Sequence, residues 1–192
     1  MPRQIGSIAL FCGSNTGHGD AYRQAAKALG DEIGRRGLTL VYGGTHKGLM
    51  GIVADAALAA GGSVHGVITR RLADLGHLHE GLTRHEIVEG MRARKERMAD
   101  LADGVVAMPG GIGTLEEFME IWTLNQLGDI DKPAGLFDVE GYYQPFMGFI
   151  DHMIGQGFLP AAHRQGIVLD ADPTRLIDGL IAFERVTVPK WM

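Results

Sequence analysis

Short apolar runs punctuate the chain at 7–12, 38–42, 63–68, 86–88, 104–108, 134–137 and 166–169, separated by longer segments of helical period. The seven runs read as strands. Between the first two, Ala21, Ala25, Leu29 and Ile33 recur every four residues while Asp31, Glu32, Arg35 and Arg36 fall elsewhere, the pattern of an amphipathic helix that Gly37 ends. Strand and helix alternating in this way predict an α/β, Rossmann-like fold: a mostly parallel seven-stranded sheet with helices on both faces. Such sheets bind ligands beyond the carboxyl ends of their strands.

Glycines gather at three of those ends, in "CGSNTGHGD" (12–20), "YGGTHKGLMG" (42–51) and "MPGGIGTLEE" (108–117). Glycine lets backbone N–H groups come close to an anion, and each loop opens into a helix whose amino end carries partial positive charge. Together the loops point to one phosphate-bearing ligand. None ends in Gly-Lys-Ser/Thr, which argues against an ATPase or GTPase. The dinucleotide fingerprint fails as well, because Glu116 stands where its third glycine belongs. Asp138, at the next strand end, is the one residue placed to imitate that fold's ribose-binding acid.

Composition narrows the class. The length of 192 residues and 45% hydrophobic content suit a single nucleotide-binding domain over 1–192. A formal charge of −5 argues against a nonspecific nucleic-acid binder, so an anionic ligand must meet locally placed positive charge. Cys12 is the only cysteine, which excludes an intrachain disulfide and suits a reducing compartment; it reads either as a small buried hydrophobe or as a reactive thiol. The first apolar stretch is too short to span a membrane and has no small-residue cleavage pattern, so a cytoplasmic location is expected.

Two segments carry candidate chemistry. Thr114-x-x-Glu117 precedes a helix with Leu115, Phe118, Met119 and Trp122 along one side. It reads either as a capping box or as a carboxylate placed for reaction. In 91–103, turning each residue by about 100° gathers Met91, Met98, Ala99, Leu101 and Ala102 into an apolar arc. Arg94 and Lys95 fall inside it, while Arg92, Glu96, Arg97 and Asp100 point away. Two cations on a buried side either face an anionic cavity or snorkel to solvent. If the first holds, Arg94 faces Glu117 across a ligand. A guanidinium holding phosphate or sugar oxygens, with a carboxylate beside an anomeric carbon, fits N-glycosidic cleavage of a nucleotide.

"MRARK" followed by "PGGIGTLEE" resembles the LONELY GUY family of cytokinin riboside 5′-monophosphate phosphoribohydrolases, whose motif is Pro-Gly-Gly-x-Gly-Thr-x-x-Glu. Pro109, Gly110, Gly111, Gly113, Thr114 and Glu117 match every fixed position. The similarity extends to "CGS" (12–14), "GLMG" (48–51), "QLG" (126–128), "DKP" (131–133) and "GYY" (141–143). It implies release of an adenine-type base from a nucleoside 5′-monophosphate, cytokinin riboside monophosphate or AMP, leaving ribose 5-phosphate, without metal or organic cofactor. Arg94 and Glu117 are the implied catalytic pair. Gly13, Ser14, Gly43, Gly44, Met91, Lys95, Gly110, Gly111, Ile112, Gly113, Thr114 and Thr123 are the implied substrate contacts.

Members are typically homodimers, some hexamers, and the apolar residues Phe146, Met147, Phe149, Ile150 and Met153 outnumber what one buried helix stripe needs. The chain departs from the family at Thr45, where a third glycine is usual, and at Arg92, Thr69 and Gly76, which bears on the preferred base. His77-x-His79 invites a metal reading but lacks a third ligand. The competing reading is a non-catalytic nucleotide or molybdenum-cofactor carrier of the same fold. No lysine stands out as a pyridoxal phosphate anchor, although older labels call such proteins possible lysine decarboxylases.

Overall fold

The computed structural model describes residues 3–187. All seven runs are strands of one sheet: β1 (Ser7–Phe11), β2 (Thr39–Tyr42), β3 (Ser63–Thr69), β4 (Arg84–Val88), β5 (Gly104–Ala107), β6 (Ala134–Phe137) and β7 (Ile167–Asp170). Their order is β4-β3-β2-β1-β5-β6-β7, and every neighbouring pair is parallel. The only antiparallel contact among the described residues is an isolated bridge between Thr45 and Leu78.

Parallel strands need crossovers, and helices supply them on both faces. Helices α1 (Ala21–Arg35), α2 (Gly48–Ala59) and α7 (Pro173–Ala182) cover the face bearing Ile8, Leu10 and Val106. The opposite face, with Ala9, Phe11 and Val105, is covered by α4 (Met91–Leu101), α5 (Ile112–Leu127) and α6 (Gln144–Gly155). Strand β1 is buried from both sides, which is why its sequence is a continuous apolar run rather than an alternation. The edge strand β4 is mostly exposed and carries Arg84, His85 and Glu86, charged and polar groups that discourage pairing with another edge. A short helix, α3 (Arg70–Asp74), leads out of β3.

Three expectations change. Glu32 was placed on the solvent side of α1, yet it is buried, held by Arg35 and by Arg36 Nε at 2.6 Å, and Arg36 also reaches Asp178 of α7 at 2.7 Å. The pairing makes burial of that carboxylate tolerable. On α6, Met147 and Ile150 belong to the core and Phe146 and Met153 pack against it, so only Phe149 is left exposed; the apolar surplus is mostly core. Asp138 is no ribose ligand: its carboxylate accepts from Tyr143 N at 2.7 Å and from Gln144, bracing the turn after β6.

Tyr42 is fully buried and its hydroxyl has no hydrogen-bond partner among the described residues. An unpaired buried hydroxyl carries a desolvation penalty of about 1–3 kcal/mol. Tyr42→Phe is therefore expected to leave stability in urea unchanged or to raise it; a loss above about 1 kcal/mol would reveal a partner for the hydroxyl.

Candidate active site

In the observed strand order, β1 and β5 are neighbours whose following helices lie on opposite sides of the sheet, the crevice where ligands bind in this architecture. The three glycine loops meet there. Gly13 N donates to Pro109 O at 3.0 Å, and Leu49 N donates to Gly13 O at 3.1 Å. The family-like "GYY" stretch props the third loop from behind: Tyr142 OH donates to Gly110 O at 2.5 Å and Tyr143 OH to Met108 O at 2.9 Å.

Helix α5 begins at Ile112 with Gly111 as its N-cap and no side-chain cap. The capping-box reading of Thr114 and Glu117 therefore fails. Thr114 is the third helical residue, and its hydroxyl sits so close to Gly110 that a Cβ there would lie 2.1 Å from Oγ1. The first N–H groups of α5 lack intrahelical acceptors, and Gly111, Gly113 and Thr114 at that end line a cavity of about 480 Å³. This is a site for an anion.

Glu117 lies one turn further along α5 in the same cavity wall and is 7% exposed. Its carboxylate accepts no hydrogen bond from the described residues. Burial pushes its pKa up to about 7, against the opposing pull of Arg94. Arg94, 5% exposed, enters from α4: its Nε donates to Val67 O at 2.9 Å, and its Nη1 lies 3.9 Å from Glu117 Oε1. That separation is too long for a hydrogen bond, so each group keeps capacity for a ligand between them. Burial also pulls the Arg94 pKa down, with Glu117 resisting. Of the two readings of Arg94, the cavity holds.

Lys95 takes the other route. Its ammonium pairs with Glu116 and, at 3.0 Å, with Glu120, joining α4 to α5 outside the cavity. Lys132, from the "DKP" stretch, fixes the same helix by donating to Ala99 O at 2.6 Å and Ala102 O at 2.5 Å, carbonyls left open at the end of α4. Both lysines hold in place the element that carries Arg94.

The remaining expected contacts divide. Gly13, Ser14, Gly43 and Met91 line the cavity, and Met91 is half-exposed rather than core. Gly110 faces an adjoining pocket of about 240 Å³ walled by Tyr22 and Tyr142. Gly44, Ile112 and Thr123 are not in the cavity wall; Gly44 O instead accepts from His79 N at 2.9 Å, and Ile112 is 88% exposed. Cys12 forms part of the floor, and burial holds its thiol protonated, against the reactive reading.

Thr45, Lys47, Met50, Leu72 and His77 complete the wall and had no role in the sequence reading as contacts. The first three simply continue the second glycine loop; Leu72 and His77 arrive from beyond β3 with no local motif. His77 Nε2 lies 2.8 Å from Lys47 Nζ while His79 Nε2 faces Asp55 at 2.9 Å, so the two histidines serve different partners. No group of three or more His, Cys, Asp or Glu side chains suited to a metal ion occurs among the described residues. None of the described helices is long and apolar enough to cross a membrane.

A family model described as "Possible lysine decarboxylase" matches residues 50–180. The cytokinin riboside 5′-monophosphate phosphoribohydrolase of Rhodococcoides fascians is 42% identical over 177 residues, 92% of this chain and 87% of its own. The chain belongs to the LONELY GUY family. Plant members are as similar: the LOG protein of Oryza sativa subsp. japonica is 43% identical over 88% of this chain and 69% of its own, and LOG4 of Arabidopsis thaliana 42% over 86% and 77%. Among solved structures, the molybdenum cofactor binding protein of Rippkaea orientalis superposes with a TM-score of 0.68 at 20% identity, over 91% of this chain and 94% of its own. The molybdenum cofactor carrier protein of Chlamydomonas reinhardtii gives 0.68 at 19%, over 94% and 100%. At such identities these two share the LONELY GUY fold and nothing more is read from them.

Proposed function

We propose that the protein hydrolyses the N-glycosidic bond of adenine-type nucleoside 5′-monophosphates, cytokinin riboside monophosphates and AMP, to free base and ribose 5-phosphate. One observation carries the reading: a buried guanidinium and a buried carboxylate face each other across 3.9 Å in a cavity whose wall includes a helix amino terminus. The 5′-phosphate rests on the opening N–H groups of α5, which sets the anomeric carbon one helical turn away, beside Glu117. As the bond from C1′ to nitrogen breaks, its electron pair leaves with the base and positive charge develops on the sugar. The Glu117 carboxylate stabilises that charge and takes a proton from the water whose oxygen bonds to C1′. That proton passes on to the departing base or to solvent. Arg94 holds sugar oxygens and favours the ionised form of Glu117.

The protein is further proposed to act as a homodimer in the cytoplasm; exposed Met91 and Ile112 beside the cavity mouth supply apolar surface for a second copy. The carrier alternative shares the sheet, so the test must separate turnover from binding. AMP and N6-isopentenyl AMP incubated with the protein are expected to yield free base and ribose 5-phosphate in equal amounts by chromatography. Nucleotide that stays bound and intact over hours would instead support a carrier.

A further inference from the structure

Two adjoining glycines follow β2, and they are glycine for different reasons. Gly44 has φ of 71°, a left-handed conformation that side chains disfavour. Gly43 has no such angle, so its backbone would accept any residue. What it lacks is room. A Cβ on Gly43 would stand 1.8 Å from Arg94 Nη2, 3.0 Å from Arg94 Cζ and 3.0 Å from Met50 Sδ. The guanidinium lies against the bare α-carbon at the end of β2 while its Nε is pinned to the Val67 carbonyl at the end of β3, 2.9 Å away.

We infer that Gly43 is a positioning residue: its missing side chain is the notch that seats the Arg94 guanidinium opposite Glu117. This rests on the phosphoribohydrolase reading and assigns Gly43, otherwise expected as a substrate contact, a role that acts through Arg94. An alanine there must drive Nη2 from 1.8 Å to at least 3.0 Å from the new Cβ, which the Val67 bond does not allow without breaking or tilting the guanidinium. The backbone itself is not strained, so the fold stays. The groups facing Glu117 are Arg94 and Lys95 of α4, Glu116 and Glu120 of its own helix, and Cys12 at the end of β1. Of these only Arg94 touches the notch.

The test compares Gly43→Ala with the parent by AMP hydrolysis, melting temperature and NMR of the Arg94 Nε–H. A misplacement near 1 Å is expected to lower kcat about 100-fold with KM changed less than about threefold. The acid limb of the rate profile is expected to move upward as Arg94 retreats from Glu117, and the melting temperature to hold. Gly44→Ala, by contrast, lowers the melting temperature. In an Arg94→Lys background, which has no Nη2 to collide, Gly43→Ala is expected to cost less than about twofold, since the coupling between neighbours is lost with the contact. An equal loss in both backgrounds, or a change confined to KM, overturns the inference. The Arg94 Nε–H, shielded by Val67 O, is expected to exchange faster in Gly43→Ala. Unchanged protection overturns the notch even if the parent releases no base from AMP, a result that would count separately against the hydrolase reading.

Discussion

Glu117→Gln is expected to fold as the parent does and to release base about a thousandfold more slowly, because glutamine fills the same space yet can neither accept a proton nor carry the charge that balances a developing oxocarbenium ion. The folded carboxyl titrates near 7 instead of 4.5, so the parent's kcat/KM is expected to rise through about pH 7 and level off above it. Stability runs the other way. Below pH 4.5 the proton is present in both states; between 4.5 and about 7 the folded chain keeps a proton the unfolded chain has lost, so stability falls as pH rises and the loss is complete above about 7. A shift of this size corresponds to about 3 kcal/mol. Glutamine removes that dependence, and the variant is expected to outlast the parent in thermal melts at pH 8 while matching it more closely at pH 5. A near-parental rate for Glu117→Gln would remove the carboxylate from the chemistry.

Arg94→Ala is expected to lose at least as much activity, for two reasons that compound. It removes the donor that holds the sugar, and it removes the charge that most strongly opposes the rise in the Glu117 pKa. The carboxyl is then neutral at pH 7, and part of the loss is expected to return as pH is raised. An interaction made in a water-poor site contributes roughly 10²- to 10³-fold to kcat, before the protonation loss is counted. The fold is expected to survive. Burial already disfavours the cation, its single strong backbone bond is to Val67 O, and Glu117 can protonate once unpaired. Circular dichroism and melting should be close to the parent's. Retained turnover in a folded Arg94→Ala would take the guanidinium out of the site.

The strands were legible because β1, β2, β5 and β6 are packed on both faces, and a strand buried that way shows as an unbroken apolar run. The loops were legible because glycine after such a run has few uses. Arg94 and Lys95 were not separable, however. They lie about 100° apart on one helix, and the projection put both inside the apolar arc. What divides them is the neighbour each meets, Val67 O and Gly43 for one, Glu116 and Glu120 for the other. Glu32 was misplaced for the same reason, since the arginines and α7 that make its burial tolerable are a tertiary arrangement.

From the sequence alone came the α/β class, the three loops that hold an anion, and Arg94 and Glu117 as the residues to watch. These follow from periodicity and local conformational preference, which each segment carries with it. Only the tertiary structure decided that Glu117 is no cap, because where α5 begins depends on the backbone at Gly111 and not on the spacing of threonine and glutamate. Only it supplied the Val67 carbonyl and the Gly43 notch, since a backbone acceptor and an absent side chain leave no mark in a pattern of residues.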